Sequence, residues 1–486
     1  MSIRRAAVWS LASQYSSFAV QFATSVIISR LYLLPADVGL FSIALAAAMM
    51  FAIFQDLGIS RFVSGQPDMR TDSVRDYAAV SVAIGWLVAL LVALLAIPLA
   101  RFYDQPRLAG VLWIIAAGYA ISPFATVPAA LLTRAMNFRA LFLANAGSAL
   151  TGGAVSVLCA AQGLGPASLA WGMLAIALSR LFIVIVQRPV WPRRPRNFAA
   201  VRPMISFGSS SAVISLSGAI GMRSQDLIVG RLLGIAATGL FTRATALAGQ
   251  LSTLMVGAIN AVFYPAFARK RDQGEDLGPP YMHLVSCNTA LTWPALLGLA
   301  LAAEPLVLTL YGPNWAQVAA LLRWTALGEM FFVAIPLQMD IPILLGRIRP
   351  LVWINLLDTA MTVAILTLCA FYGVEAAAFS RILYGAVWFL IYAVYLHRLL
   401  SIRVRTMAAT YGKSAVCAVA AGAPLYAAMH SGLYHAEQGL MPIIGLACAG
   451  VVCWLAALAA LRHPAWSEIC LAFGHARGLA SRQQRG

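Results

Sequence analysis

Charge is what this 486-residue sequence has least of: 10% of its residues are Asp, Glu, Lys or Arg and 61% are hydrophobic, where an ordinary soluble domain carries about 25% charged residues. No stretch of about 100 residues holds enough polar surface for a water-soluble domain, so that class is excluded. Lysine is nearly missing, Lys270 and Lys413 being the two in the chain. Cysteine is scarce and odd in number at seven, with no C-x-x-C pair and no histidine at ligand spacing, which removes a disulfide framework and a zinc site. The six histidines are scattered over loops and helix ends. The phosphate-binding G-x-x-x-x-G-K-[ST] is lacking too, since Gly412-Lys413-Ser414 has Met407 where the upstream glycine belongs. No catalytic set, metal site or cofactor motif is present, so an enzyme is not expected. Long outer loops bearing carboxylates or arginines, which a lipid-linked polymerase or glycosyltransferase needs, are also missing.

What fills the sequence instead is apolar runs. At about 20 residues per span, the chain accommodates up to about fourteen transmembrane helices. Runs bounded by Pro, Gly or charge predict helices over 6–31, 38–61, 77–100, 108–131, 141–162, 166–187, 204–230, 236–264, 282–303, 315–345, 351–372, 375–397, 411–430 and 440–461. Pro123, Pro128, Pro294, Pro336 and Pro342 fall inside them, and broken helices are a recurrent feature of transporters. Arg4 and Arg5 resemble the basic region of a signal peptide, but Gln14, Gln21 and the want of a small-residue cleavage site predict an uncleaved first helix.

The net charge of +17 raises nucleic acid as a partner until the basic residues are located. Most fall in alternate connections: the N-terminus, 61–75, 134–139, 188–202, 269–271, 347–349, 398–413 and the tail. Short cytoplasmic loops collect Lys and Arg, so this alternation predicts an even number of spans with both termini in the cytoplasm. The excess charge is thereby explained, and nucleic acid is not expected. The tail, with Trp466, Ile469, Leu471 and Phe473 beside Arg477 and Arg482, is expected on the inner membrane face.

Two short stretches recur about 200 residues apart: Ile28-Ser29-Arg30-Leu31 then Gly39-Leu40-Phe41, and Val229-Gly230-Arg231-Leu232 then Gly239-Leu240-Phe241. Gly165-Pro166 and Ala170-Trp171 pair similarly with Gly373-Val374 and Ala378-Phe379. The expected fold is all-α and polytopic, with two six-helix lobes related as parallel repeats plus two C-terminal helices. The corresponding divisions are an N-lobe at 1–187, a basic Pro-rich cytoplasmic linker at 188–203, a C-lobe at 204–400, a helix pair at 401–463 and a basic tail at 464–486.

In the first helix Ser10, Gln14, Gln21 and Ser25 share one face, and the equivalent positions in the second repeat are Ser211, Ser215, Met222 and Asp226. Such faces either line a cavity between the lobes or pack helix against helix through hydrogen bonds. Their recurrence favours the cavity. Arg30, Arg180, Arg231 and Arg323 are near enough to helix ends to snorkel. Arg223, Arg243 and Arg381 lie deeper, Arg243 on the same face as Gln250, and several guanidinium groups within spans imply an anion-binding cavity. Arg223 and Asp226 can alternatively neutralise each other. Glu329, Asp358 and Asp226 are buried carboxylates able to carry a coupling proton or sodium ion, whereas Asp56 and Asp340 sit where a loop-anchoring role is expected.

Several stretches together resemble the oligosaccharide and polysaccharide flippases of the multidrug/oligosaccharidyl-lipid/polysaccharide exporter superfamily. They are Val38-Gly39-Leu40-Phe41, Asp56-Leu57-Gly58-Ile59, Phe102-Tyr103-Asp104-Gln105-Pro106-Arg107-Leu108, Leu132-Thr133-Arg134-Ala135-Met136-Asn137-Phe138-Arg139, Gly239-Leu240-Phe241-Thr242-Arg243-Ala244 and Tyr264-Pro265-Ala266-Phe267. The resemblance implies fourteen helices in two lobes around a V-shaped cavity. It also implies alternating access that moves an undecaprenyl-diphosphate-linked oligosaccharide outward across the bacterial inner membrane, for surface polysaccharide or exopolysaccharide synthesis. Arg223, Arg243 and Arg381 are then expected to meet diphosphate or acidic sugars, with Gln14, Gln21, Ser215 and Gln250 on the glycan. Implied partners are the lipid-linked oligosaccharide, membrane lipids, a proton or sodium ion, and a polysaccharide polymerase with its glycosyltransferases. The alternatives are a drug/cation antiporter of the same superfamily, which a carboxylate-lined cavity would favour, and a polymerase or scaffold of the polysaccharide machinery.

Overall fold

A computed structural model describes residues 3–56, 59–65, 71–192, 218, 220–432 and 441–470. Among the described residues the regular structure is helical: α1 (Ile3–Leu31), α2 (Pro35–Asp56), α3 (Ile59–Gly65), α4 (Thr71–Phe102), α5 (Pro106–Ile121), α6 (Pro123–Arg134), α7 (Phe138–Ala161), α8 (Ala167–Gln187), α9 (220–232) and α10 (Ile235–Asp272). Then come α11 (Gly278–Leu301), α12 (Ala303–Tyr311), α13 (Val318–Val333), α14 (Asp340–Leu344), α15 (Ile348–Ala370), α16 (Val374–Leu399), α17 (Val404–His430) and α18 (Met441–Ala460). Eight of the described helices are long and apolar enough to cross a bilayer, nine if the bent pair α5 and α6 forms one span. The protein is therefore a multi-pass helical membrane protein. Its outward faces agree with this, because large apolar side chains such as Trp86, Leu90 and Leu94 on α4 and Leu383 and Leu390 on α16 are exposed, as lipid-facing residues must be.

Helix ends follow local chemistry. Pro35 opens α2, where a missing N–H costs nothing, and the Asp37 carboxylate accepts the Leu34 N–H at 3.1 Å beside the positive end of the helix. Asn137 caps α7 by accepting the Ala140 N–H at 3.2 Å. Gly165 and Gly373, paired from the sequence, both take positive φ, 53° and 111°, in the turns that precede α8 and α16.

The chain divides into two compact units, Met1–Leu240 and Phe241–Gly486. The sequence reading put the lobe boundary at 188–203; most of that linker lies outside the described residues, and in the structure α9 and the first turn of α10 cluster with the first unit. Two contacts explain this. The Tyr103 hydroxyl donates to the Leu227 carbonyl at 3.0 Å. The recurring glycines Gly39 and Gly239 also meet each other's helix: a Cβ on Gly39 would stand 1.8 Å from the Ile235 carbonyl oxygen, and one on Gly239 would stand 1.9 Å from that of Pro35. Only glycine permits so close a backbone crossing.

Within the first unit, α4 packs on α5, α5 on α8 and α8 on α7; within the second, α11 packs on α13, α13 on α16 and α16 on α15. The same order of neighbours thus recurs. The last pair is attached through α17, which packs on α11 and on α18. Small residues set the closest crossings. A Cβ on Gly172 of α8 would fall 1.7 Å from the Ser156 hydroxyl of α7.

Two of the proline-bearing segments are broken. The segment 108–131 bends by 43° between α5 and α6 at Ser122-Pro123, and 315–345 separates into α13 and α14 around Pro336. Proline supplies no N–H to the carbonyl four residues back, and its ring clashes there.

Beyond α18, His463 is buried between α11 and α17. Its Nδ1 accepts the Ala465 N–H at 3.2 Å, so its Nε2–H is the donor to the Ser286 and Ser414 hydroxyls, each at 3.3 Å. Burial, assisted by Lys413, holds its pKa below the ordinary 6.5.

Two outcomes follow from this packing. Gly39→Val and Gly239→Val should each destabilise the protein by about 1–3 kcal/mol or more, while Gly110→Ala, with open space around its Cβ, should leave the thermal midpoint unchanged in detergent melts. A lowered histidine pKa adds stability that is present above the unfolded value and is lost as pH falls below it. The midpoint should therefore drop on acidification below about 6.5, and His463→Gln should flatten that slope.

Candidate functional site

The first unit holds a polar cavity of about 510 Å³ walled by α1, α7 and α8. Ser10, Gln14, Ser17 and Gln21 project into it from α1, Asn145 and Ser148 from α7, and Arg180 from α8. The spacing of the α1 residues, close to the helical repeat, gathers them on one face. Their polarity keeps α1 out of the set of apolar spans. Asn145 donates to the Ser13 hydroxyl at 3.1 Å and ties α7 to α1 at the cavity wall.

Arg180 also lines a second recess of about 260 Å³, with Gln55, Ser60, Ser122 and Thr126, at the break between α5 and α6. That recess is polar because the break must be repaired. The Tyr119 carbonyl would have bonded the N–H at position 123, which is proline, and the Gln55 amide donates to it instead at 2.8 Å, and to the Ser122 hydroxyl at 2.8 Å. Trp86 donates to the next carbonyl, Ala120, at 3.2 Å.

The break in the second unit is repaired in the same manner. Asn288 donates to the Val333 carbonyl at 2.5 Å, Trp293 to Met330 at 2.9 Å, Tyr411 to Ala334 at 3.1 Å and Tyr281 to Pro336 at 3.1 Å. Beside it α16 offers two donors to two carboxylates. Arg381 pairs with Glu329 of α13 at 2.8 Å, its guanidinium over the Phe332 ring at 5.0 Å, and the Tyr384 hydroxyl donates to Asp358 of α15 at 2.6 Å. Among the described residues no group of three or more His, Cys, Asp or Glu is placed to hold a metal ion.

Residues 27–320 match a family model described as "Polysaccharide biosynthesis protein". The chain belongs to that family. It is 26% identical to the succinoglycan biosynthesis transport protein ExoT of Rhizobium meliloti (strain 1021), over 71% of this chain and 69% of that protein. It is 22% identical to the lipopolysaccharide biosynthesis protein WzxC of Escherichia coli (strain K12), over 59% of this chain and 58% of the relative. Among solved structures, the lipid II flippase MurJ in its inward closed conformation has the same fold, with a TM-score of 0.73 over 93% of this chain and 98% of that one at 11% identity.

In this polysaccharide biosynthesis protein the residues singled out from the sequence lie in different surroundings. Gln14 and Gln21 line the first unit's cavity. Arg223 is half-buried in the same unit, within electrostatic range of Tyr119 and outside the cavity lining, and Asp226 follows one turn later on α9. Arg243 is packed over the rings of Tyr311 and Trp315 at 5.8 and 5.7 Å, with Gln250 half-buried two turns on. Arg381, Glu329 and Asp358 form the hydrogen-bonded cluster above. Ser215 and the side chain of Asp56 lie outside the described residues.

Arg180 and Asn145 are what sequence reasoning passed over. Arg180 lies about 10 Å of helix before the end of α8 at Gln187; its side chain is exposed and lines both cavities. Among the described residues it has no ion-pair or hydrogen-bond partner. Asn145 sits in an otherwise small and apolar helix, where a lone amide carries no signal until its neighbour Ser13 is known.

Removing one partner of a buried ion pair strands the other, at a cost of about 3–5 kcal/mol. Arg381→Met or Glu329→Leu alone should therefore lower the thermal midpoint more than the double variant does, as a double-mutant cycle in detergent melts would read.

Proposed function

We propose that this protein is a flippase that moves an undecaprenyl-diphosphate-linked oligosaccharide across the bacterial inner membrane by alternating access, for surface polysaccharide or exopolysaccharide synthesis. The observation that carries the reading is the first unit's cavity, in which the Arg180 guanidinium, without an ion-pair or hydrogen-bond partner among the described residues, stands among amides and hydroxyls. A guanidinium forms paired, charge-assisted hydrogen bonds with phosphate, strengthened where water is scarce. Amides and hydroxyls match the donors and acceptors of a sugar. In this reading Arg180 holds the diphosphate and Gln14, Gln21 and Asn145 hold the glycan, joined by Ser215.

The membrane organisation in this proposal is fourteen helices, six per parallel repeat plus two, with both termini in the cytoplasm. Support comes from the recurring order of helix neighbours, from the Gly165 and Gly373 turns, and from a pair that the recurring sequence stretches do not include. Ser81 and Trp86 approach the first break exactly five residues apart along α4, as Asn288 and Trp293 do along α11. The relatives named as a succinoglycan biosynthesis transport protein and a lipopolysaccharide biosynthesis protein, together with a lipid II flippase of like fold, support the same class of cargo.

Arg223 is a second phosphate contact in this scheme. Arg243 and Arg381, engaged by rings and by Glu329, reach the cargo only in another state of the cycle, as does Gln250. The Glu329–Arg381 and Asp358–Tyr384 contacts, with Asp226, are the proposed seat of proton or sodium coupling, since each carboxylate exchanges a partner when it gains a cation. A polysaccharide polymerase and glycosyltransferases supply and consume the cargo.

Translocation of a labelled lipid-linked oligosaccharide should be measured in proteoliposomes containing this protein alone, with imposed proton and sodium gradients. Arg180→Ala should reduce it at least about tenfold, the loss of one charged hydrogen-bond pair, and Arg180→Lys less. Undiminished transport by Arg180→Ala at matched reconstitution would remove the anchor role.

A further inference from the structure

A second charged cavity, of about 550 Å³, lies in the second unit where the first turns of α11 and α17 come together. Arg403, Arg405 and Lys413 line it, with His283, Ser286 and Thr406 between them.

Its electrostatics are one-sided. One carboxylate reaches the lining, Glu468, which pairs with His283 at 3.1 Å against three full cations; Asp276 accepts the Gly278 N–H at 2.9 Å, Glu275 pairs with Lys270, and Asp272 with Arg271 at 2.5 Å. Among the described residues Arg403, Arg405 and Lys413 have no ion-pair partner. The tail beyond Cys470 contains no Asp or Glu to neutralise them. Helix α17 adds the positive end of its dipole, because its 27 residues begin at Val404 with no side-chain cap. Three cations, an uncapped helix N-terminus and nearby hydroxyls make a receptor for a phosphate.

The depth of the cavity selects the source of that phosphate. Gly278 starts an apolar span, so the cavity is level with the edge of the bilayer, where headgroups lie and where basic pockets between helices take anionic lipids. We propose that this cavity binds the phosphodiester headgroup of an anionic phospholipid and so fastens α11 to α17 at the membrane surface.

The test uses the full-length protein, purified and delipidated, and short-chain phosphatidylglycerol, phosphatidylcholine and inorganic phosphate as probes, with binding read by native mass spectrometry and by the shift in thermal midpoint. The wild type should prefer phosphatidylglycerol over phosphatidylcholine. At roughly fivefold for each cation, the combined Arg403→Gln, Arg405→Gln and Lys413→Gln variant should lose about a hundredfold. The single variants, each losing about fivefold, carry the test if the triple variant does not fold. Arg403→Lys with Arg405→Lys should keep most of the preference. Equal binding of both lipids by the wild type, or unchanged preference in the glutamine variants, would overturn the proposal. So would full displacement by millimolar inorganic phosphate, which would assign the cavity to a soluble anion.

Discussion

A carbonyl freed inside a bilayer has no water to turn to, and two proline breaks free several of them here. Gln55 and Trp86 answer the break at Pro123; Asn288, Trp293, Tyr411 and Tyr281 answer the one at Pro336. Each unsatisfied group would cost several kcal/mol in hydrocarbon, so the breaks exist only because neighbouring helices bring donors to them. Those donors in turn make the surroundings polar. The recess that Arg180 shares with Gln55 and Ser122 is a consequence of the repair, and it places polar side chains next to the larger cavity.

The arginines separate by what surrounds them. Arg243 lies against two aromatic rings and Arg381 against a carboxylate and a ring, arrangements that compensate a buried charge within the fold. Arg180 instead is exposed and borders two polar cavities. Lys270 and Arg271 pair with Glu275 and Asp272 close by in the chain, whereas Arg403, Arg405 and Lys413 have no ion-pair partner among the described residues.

Much of this was legible in the sequence, unevenly. The α1 stripe of Ser10, Gln14 and Gln21 was readable because helical periodicity is local; it borders a cavity within the first unit, where the sequence pointed to one between the lobes. The glycines at 39 and 239 were visible as a repeat, but the reason for them, a mutual backbone crossing, needs both helices in place. Pro123 and Pro336 were noted without the breaks being predicted, since a proline inside an apolar run either kinks or ends a helix, and which one depends on the donors at hand. For Arg180, residue spacing reports distance to a helix end and not the two cavities that lie beside it.

Hydropathy, the placement of Lys and Arg and the recurrence at about 200 residues were enough for an all-helical membrane protein, since these depend on one residue's partition between water and lipid or on a neighbour within a few turns. Which arginine is matched and which is left open was decided by the tertiary structure alone. That property belongs to pairs such as Arg381 with Glu329, far apart in sequence and brought together by packing.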